Sequence, residues 1–123
     1  MSRTRVVFYR DDDGTVPFLD WLDGLEDKAK DKCVVKIERL AEVGHELRRP
    51  ECGLLRDRIY ELRTKRGHVQ YRILYFFHGN VAAVVSHGLT KKQEVPAREI
   101  ARAIERRNKF LSDPARHTLE ERR

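Results

Sequence analysis

Four stretches of the chain are rich in the β-branched and aromatic residues that are typical of strands. The first covers residues 5–10 and ends at three aspartates followed by Gly14, which is a strong turn signal. The other three follow one another in the second half of the chain, and a glycine in each connecting segment favours hairpin turns. The pattern places these three strands at residues 58–64, 69–77 and 81–87.

Hydrophobic residues that recur at intervals of three and four predict three helices. Pro17 suits the first turn of the first helix, and Gly44 is a natural C-terminal stop for the second. The segment 46–57 is predicted to be irregular, and the polar tail, residues 112–123, to be frayed. The predicted helices cover residues 17–25, 27–43 and 96–111.

The element order is therefore β-α-α-β-β-β-α, and we predict one α+β domain over residues 1–123. Strands linked by hairpins form an antiparallel sheet. We expect the first strand at one edge of this sheet and the hairpin of the first two helices on one face. The C-terminal helix should cover part of the other face or one end.

The net charge of +6 is concentrated in the middle of the chain. Residues 1–47 hold 8 basic and 11 acidic side chains, residues 48–92 hold 10 and 3, and residues 93–123 hold 8 and 6. Such a basic region fits a polyanionic partner, because its side chains neutralise phosphates and release counterions. A solvated basic surface without a partner would have the same composition, so charge alone does not decide between them.

No hydrophobic run approaches the roughly 18 residues of a membrane-spanning helix, and the N-terminus lacks the apolar stretch of a signal peptide. A cytoplasmic protein without a membrane partner is therefore expected. Cys33 and Cys52 belong to no CxxC pair and lie near no histidine at ligand spacing. They are predicted to be reduced thiols rather than metal ligands.

Candidate chemistry centres on the hairpin formed by the second and third strands. Side chains alternate between the two faces of a strand, and a four-residue loop would place Glu61 opposite Arg72 with Arg63 on the same face. Tyr71 would then point to the opposite face. A loop one residue longer or shorter would separate the two arginines. The competing interpretation is an ordinary cross-strand ion pair between Glu61 and Arg72.

Further candidates come directly after this hairpin, where His87 ends the last predicted strand and Lys91 and Lys92 follow. RNA cleavage needs a base for the ribose 2′-OH, an acid for the leaving 5′-oxygen and cations around the phosphorus. Arginine forks suit the phosphate, and a histidine, or a lysine among other cations, can transfer protons near neutral pH. A capping or core role is the alternative for His87.

Two sets of residues are therefore predicted to form the site. The candidate catalytic residues are Arg63, Arg72, His87, Lys91 and Lys92. The candidate substrate-binding residues are Arg56, Arg58, Glu61, Lys65, Arg66 and Tyr71. No acidic cluster suited to Mg²⁺ accompanies them, and the three aspartates at 11–13 are typical of a turn. The expected mechanism uses no metal and no cofactor.

Four blocks in this order give the sequence a family resemblance. They are IYELR at residues 59–63, YRILY at 71–75, HGLTKK at 87–92, and VP at 95–96 followed by EIA at 99–101. Together they resemble the phage-derived branch of the RelE/HigB toxins, and the β-α-α beginning agrees with the RelE-like fold. Leu89 departs from the pattern, because the family usually has an aromatic residue there; this departure bears on base recognition.

The resemblance implies the toxin of a type II toxin–antitoxin pair, an endoribonuclease that cleaves mRNA, usually in the decoding site of the ribosome. It implies attack by the 2′-OH without a metal, and a small helix-turn-helix antitoxin as partner. It places phosphate contacts on Arg63 and Arg72 and a basic pair on Lys91 and Lys92. The competing hypothesis is a non-catalytic basic module that binds RNA or an antitoxin. The sequence does not indicate the oligomeric state.

Overall fold

The computed structural model describes residues 4–79, 82–91 and 94–119, which form three helices and a six-stranded, mostly antiparallel sheet. The strands are β1 (Arg5–Tyr9), β2 (Cys52–Leu54), β3 (Tyr60–Arg66), β4 (Val69–His78), β5 (Ala82–Lys91) and β6 (Thr118–Leu119). The helices are α1 (Pro17–Asp23), α2 (Asp27–Val43) and α3 (Ala97–Ser112), and a 3₁₀ turn, Gly44–Glu46, follows α2. The α+β class is confirmed, whereas the RelE-like order stays a prediction.

The prediction of β1 at a sheet edge is wrong. The strand order is β2-β3-β4-β5-β1-β6, so β1 lies inside the sheet, parallel to β5 and antiparallel to β6. Val7 and Tyr9 are buried on one face of β1 and Phe8 on the other. A strand that is apolar on both faces suits an interior position covered by helices on both sides, which explains the difference.

Two short strands escaped the sequence analysis because long-range pairing creates them. β2 lies in the segment predicted to be irregular and pairs with the first half of β3. β6 lies in the tail predicted to be frayed, where Thr118 pairs with Tyr9. The preceding His117 stacks on the Tyr9 ring, and its Nδ1 lies 2.9 Å from the Arg10 carbonyl oxygen. Residues up to 119 are therefore part of the folded unit.

Each face of the sheet has its own core. On one face, α1 and α2 cover Leu62, Tyr71 and Ile73, and both cysteines lie there as buried free thiols. On the other face, α3 covers Leu74 and Leu89. Leu111, the last residue of the predicted C-terminal helix, is 53% exposed, whereas Phe110 is buried. None of the three described helices is long and apolar enough to cross a membrane.

Helix α1 approaches the sheet closely where Trp21 lies over Gly88 of β5. A Cβ atom at Gly88 would lie 2.2 Å from the indole ring. That is far inside any van der Waals contact, so α1 can lie this close to β5 only because residue 88 has no side chain.

Candidate active site

The β3–β4 hairpin places Arg63 directly opposite Arg72. Arg66 pairs with Val69, so the loop contains two residues, Gly67 and His68, instead of the predicted four. Gly67 has φ +62° at the first loop position, where two-residue hairpins often need glycine. The predicted pairing is thus wrong by two positions, but both arginines share a face as predicted, because a shift of two preserves the alternation of side chains.

A single buried carboxylate holds the two guanidinium groups together. Glu61 Oε2 lies 2.9 Å from Nε and Nη2 of Arg63, and Oε1 lies 3.1 Å from Nε of Arg72. The Glu61 side chain is 6% exposed, that of Arg72 15% and that of Arg63 31%. One negative charge between two positive ones offsets their repulsion and leaves the cluster with a net positive charge of one.

The remaining donors of the two arginines differ. In Arg72, Nη2 donates to the Gln70 side-chain oxygen and Nη1 lies 3.5 Å from the Tyr71 carbonyl oxygen. In Arg63, Nε and Nη2 both contact Glu61, and Nη1 has no hydrogen-bond partner among the described residues. Arg72 is therefore fixed in place, while Arg63 keeps a donor for an incoming anion.

Gly53 of β2 lies under the Arg63 guanidinium. A Cβ atom there would be 2.5 Å from Nη2 and 3.1 Å from Cζ of Arg63. The absence of a side chain thus permits the guanidinium to lie flat against β2 and reach Glu61. Sequence analysis missed this residue, because a glycine beside a proline-containing turn looks like part of that turn.

Cavities open on two sides of the arginine pair, and both are lined by Arg63, Arg72 and Gln70. One, of about 390 Å³, is also lined by Lys32 and Lys36 of α2. The other, of about 640 Å³, lies toward α3 and adds apolar residues. Neither lysine is among the candidate residues named from the sequence. The spacing of four between them was a signal for a shared face, but nothing local shows that β3 lies beside it.

His87 reaches the α3 face through a β-bulge. Leu74 pairs with His87 but Tyr75 pairs with Val85, so Ser86 is an extra residue in β5. Such a bulge re-aims the following side chain. His87 is 6% exposed, its Nδ1 lies 2.7 Å from Ser86 Oγ, and its Nε2 lies 3.0 Å from Glu99 Oε1 of α3. Both ring nitrogens are occupied, which favours the core role left open for this histidine.

The basic pair after the last predicted strand is only partly described. β5 continues to Lys91, whose backbone pairs with Gln70 beside Arg72, so the strand does not end at His87 as predicted. Lys92 lies outside the described residues. Leu89 pairs with Arg72 and is buried against the core under α3.

The candidate substrate-binding residues are not brought together as one group. Tyr71 is buried on the α1–α2 face, edge-on to Trp21, so its assignment as a substrate contact is corrected. Lys65 is exposed and lines the smaller cavity beside Arg63. Arg66 forms an ion pair with Glu26 in the loop before α2.

Arg56 and Arg58 lie in the turn between β2 and β3. Arg56 is exposed, lines the cavity toward α3 and forms an ion pair with Asp57. Arg58 lines a different cavity, described below. The two arginines therefore face different parts of the surface.

Comparison with known protein families shows which family the chain belongs to. A family model described as phage-derived protein Gp49-like (DUF891) matches residues 20–108, more than half of the chain. The chain belongs to the Gp49-like family. The matched stretch begins within α1 and ends within α3, so it contains the β3–β4 hairpin and both arginines. A search of curated proteins finds no match. The RelE/HigB assignment stays a prediction.

The acidic turn of this Gp49-like chain has structural partners. Asp13 accepts hydrogen bonds from the backbone and side chain of Thr15, and Asp12 pairs with Lys109 and Arg116. The predicted turn is confirmed. Among residues 4–79, 82–91 and 94–119, no three His, Cys, Asp or Glu side chains come together to hold a metal ion.

The buried histidine makes the stability of the Gp49-like fold depend on pH. Burial, and secondarily the Arg106 guanidinium, lowers the pKa of His87, although Glu99 acts in the opposite direction. An unfolded histidine takes up a proton as the pH falls through about 6.5, whereas folded His87 stays neutral there. The free energy of unfolding should therefore be constant above this pH and fall below it.

Urea unfolding at about pH 7.5, 6.5 and 5.5 tests this expectation across the range in which free histidine titrates. His87→Gln should flatten the loss of stability between the two lower values, while His68→Gln, a change at an exposed loop histidine, should keep the wild-type slope. Equal slopes for wild type and His87→Gln would show that His87 does not cause the pH dependence.

Proposed function

We propose that this protein is the toxin of a type II toxin–antitoxin pair and an endoribonuclease that cleaves mRNA on the translating ribosome. Membership in the Gp49-like family supports a phage-derived origin. The RelE/HigB resemblance supplies the toxin class. The proposed RNA cleavage is supported by the arginine pair. Its two guanidinium groups lie directly opposite each other, are held by one carboxylate and border two open cavities.

The arginine pair suits the phosphate at which RNA is cut. Attack of the ribose 2′-OH on the adjacent phosphorus passes through a pentacoordinate state with additional negative charge on the phosphate oxygens. Each Nη atom carries two N–H groups, so Arg63 Nη1 and the second N–H groups of Arg72 Nη1 and Nη2 remain for these oxygens. Because Glu61 fixes both side chains beforehand, little reorganisation is needed as the charge develops. Collapse of this state forms a 2′,3′-cyclic phosphate and releases a 5′-hydroxyl end.

Proton transfer is assigned to the lysines rather than to His87. Ser86 and Glu99 contact the two ring nitrogens of His87, so we propose that its role is structural and that it links β5 to α3. Lys91 has its backbone next to Gln70, in the strand that pairs with β4. A lysine beside other cations loses its proton more easily. One of Lys91 and Lys92 would then take the 2′-OH proton as the base, and the other, as an ammonium group, would give a proton to the leaving 5′-oxygen.

A small helix-turn-helix antitoxin is proposed as the partner that neutralises the toxin. This partner follows from the RelE/HigB resemblance.

Mapping of RNA 5′ ends in a translating extract tests the proposed function. We expect the protein to create new 5′-hydroxyl ends inside mRNAs, and to create them only while the mRNAs are being translated. A parallel reaction with the same RNA and no ribosomes is the control. Binding of RNA without new 5′ ends would support the non-catalytic module instead and would overturn the proposed activity.

A further inference from the structure

A wall of three aromatic rings lies at the end of β3 opposite to Arg66. It consists of His45 from the 3₁₀ turn, Tyr60 at the start of β3 and Phe77 near the end of β4. The wall separates two cavities, of about 710 Å³ and about 360 Å³, and all three residues line both. The cavities are distinct from the two beside the arginine pair.

The rings of this aromatic wall are arranged as a platform. His45 stacks on Phe77 with ring centroids 3.6 Å apart and planes 20° apart, and Tyr60 meets Phe77 edge-on at 5.4 Å. His45 is exposed, and Tyr60 and Phe77 are half-buried. Aromatic rings at the surface are what proteins use to stack the unpaired bases of single-stranded RNA.

The charge around the aromatic wall fits a nucleic acid. Four of the residues lining its two cavities are arginines and one, Asp57, is acidic. The arginines are Arg48, Arg49, Arg58 and Arg107. Planar rings flanked by guanidinium groups are complementary to a base flanked by phosphates.

The backbone beside the wall is held in an unfavourable conformation. Asp57 and Arg58 have φ of 53° and 63°, the left-handed region that costs free energy for residues other than glycine. Arg107 of α3 donates a hydrogen bond to the Asp57 carbonyl oxygen and so braces this turn. Strain maintained by a neighbouring element is a common mark of functional sites, and here it places Arg58 on the cavity wall.

The aromatic wall and the arginine pair lie on opposite faces of the sheet, because Tyr60 and Phe77 pack on the α1–α2 face whereas Arg63 and Arg72 share the face under α3. Gly53, which lies under the Arg63 guanidinium, also lines the smaller cavity of the wall. An RNA strand with one phosphate at Arg63 would reach the rings by passing around β2, which is the edge strand of the sheet.

We infer that His45, Tyr60 and Phe77 stack a base of the same single-stranded RNA that is cut at the arginine pair, while Arg58 and Arg107 contact its phosphates. This inference rests on the proposed function and adds a base-binding subsite to it.

A binding experiment with an uncleavable probe tests the subsite. The probe is a 2′-O-methyl oligonucleotide carrying 2-aminopurine, a base whose fluorescence is quenched when it stacks on a ring. Wild type should quench the probe. His45→Ala loses one base–ring stack and should bind the probe about 5- to 100-fold more weakly. His45→Phe keeps an aromatic ring and should retain both the affinity for the probe and the quenching.

The charge contribution is tested in the same assay with Arg58→Asn, since asparagine tolerates the left-handed backbone. We expect weaker binding and a salt dependence reduced by about one phosphate contact. The matched control is Arg116→Asn, which removes an exposed arginine beside β6 at the opposite edge of the sheet and should bind like wild type. Cooperative urea unfolding confirms that each variant is folded.

Wild-type affinity and quenching in His45→Ala would overturn the subsite, as would equal losses in Arg58→Asn and Arg116→Asn. The two proposals fail in different ways. If the probe is quenched but mRNA 5′-end mapping shows no cleavage, the subsite stands and the proposed activity falls. If mRNA is cleaved at the wild-type rate by both His45→Ala and Arg58→Asn, the activity stands and the subsite falls.

Discussion

Replacement of Arg72 by alanine is expected to lower the rate of mRNA cleavage by about 10²–10³-fold, the usual cost of removing one fixed donor to a developing charge. Growth inhibition should disappear with it. Arg72 is the better fixed of the two arginines, since Glu61, Gln70 and the Tyr71 carbonyl oxygen all contact its guanidinium. The rate is measured as the appearance of new 5′ ends in a translating extract.

Two further variants make the result specific. Arg72→Lys keeps the positive charge but lacks the fork that donates two parallel hydrogen bonds, so it should restore only a small part of the activity. Arg116→Ala removes an exposed arginine at the far edge of the sheet and should cleave at the wild-type rate. Full activity of both Arg72→Ala and Arg63→Ala would refute the role of the arginine pair.

The largest effect on stability is expected from Gly88→Ala. A Cβ atom at this position would lie 2.2 Å from the Trp21 indole, which is rigid and packed against Phe18 and Tyr71. Because α1 must move away from β5, the variant should lose about 1–3 kcal/mol or more of unfolding free energy, as in other overpacked cores. Urea unfolding at neutral pH gives this quantity.

The control for this variant is the same substitution at Gly24. A Cβ atom there would make only an ordinary 3.5 Å contact, and the residue already has a helical backbone with φ −81°. Gly24→Ala should therefore leave stability unchanged or slightly increased. Adding Trp21→Leu to Gly88→Ala should recover part of the loss. Equal stability of the two glycine variants would show that β5 and α1 adapt to the extra methyl group.

Local patterns predicted those parts of the molecule that depend only on periodicity. Helix α2 runs from Asp27 to Val43 as the spacing of its apolar residues indicates. The shared face of Arg63 and Arg72 follows from the alternation of strand residues, which an error of two in register does not disturb.

Features created by tertiary contacts could not be predicted in this way. The bulge at Ser86 decides that His87 faces α3, and a bulge has no clear local signature in this strand. Gly53 matters only because the Arg63 guanidinium lies on it. Lys32 joins the site because β3 happens to lie beside α2, and residue spacing within α2 contains no information on its neighbours.

The interior position of β1 has a consequence for how the chain is made. β1 is made before all the strands that it contacts, since Arg5 pairs with Ala82, and Phe8 pairs with Leu119 on its other side. During synthesis the strand gains its first neighbour only after residue 85 and its second only after residue 119, and pairing so distant in sequence is slow to form. The sheet is thus completed only after the hairpin with the arginine pair has been synthesised, so these two arginines are fixed on β3 and β4 before β1 takes its place beside β5.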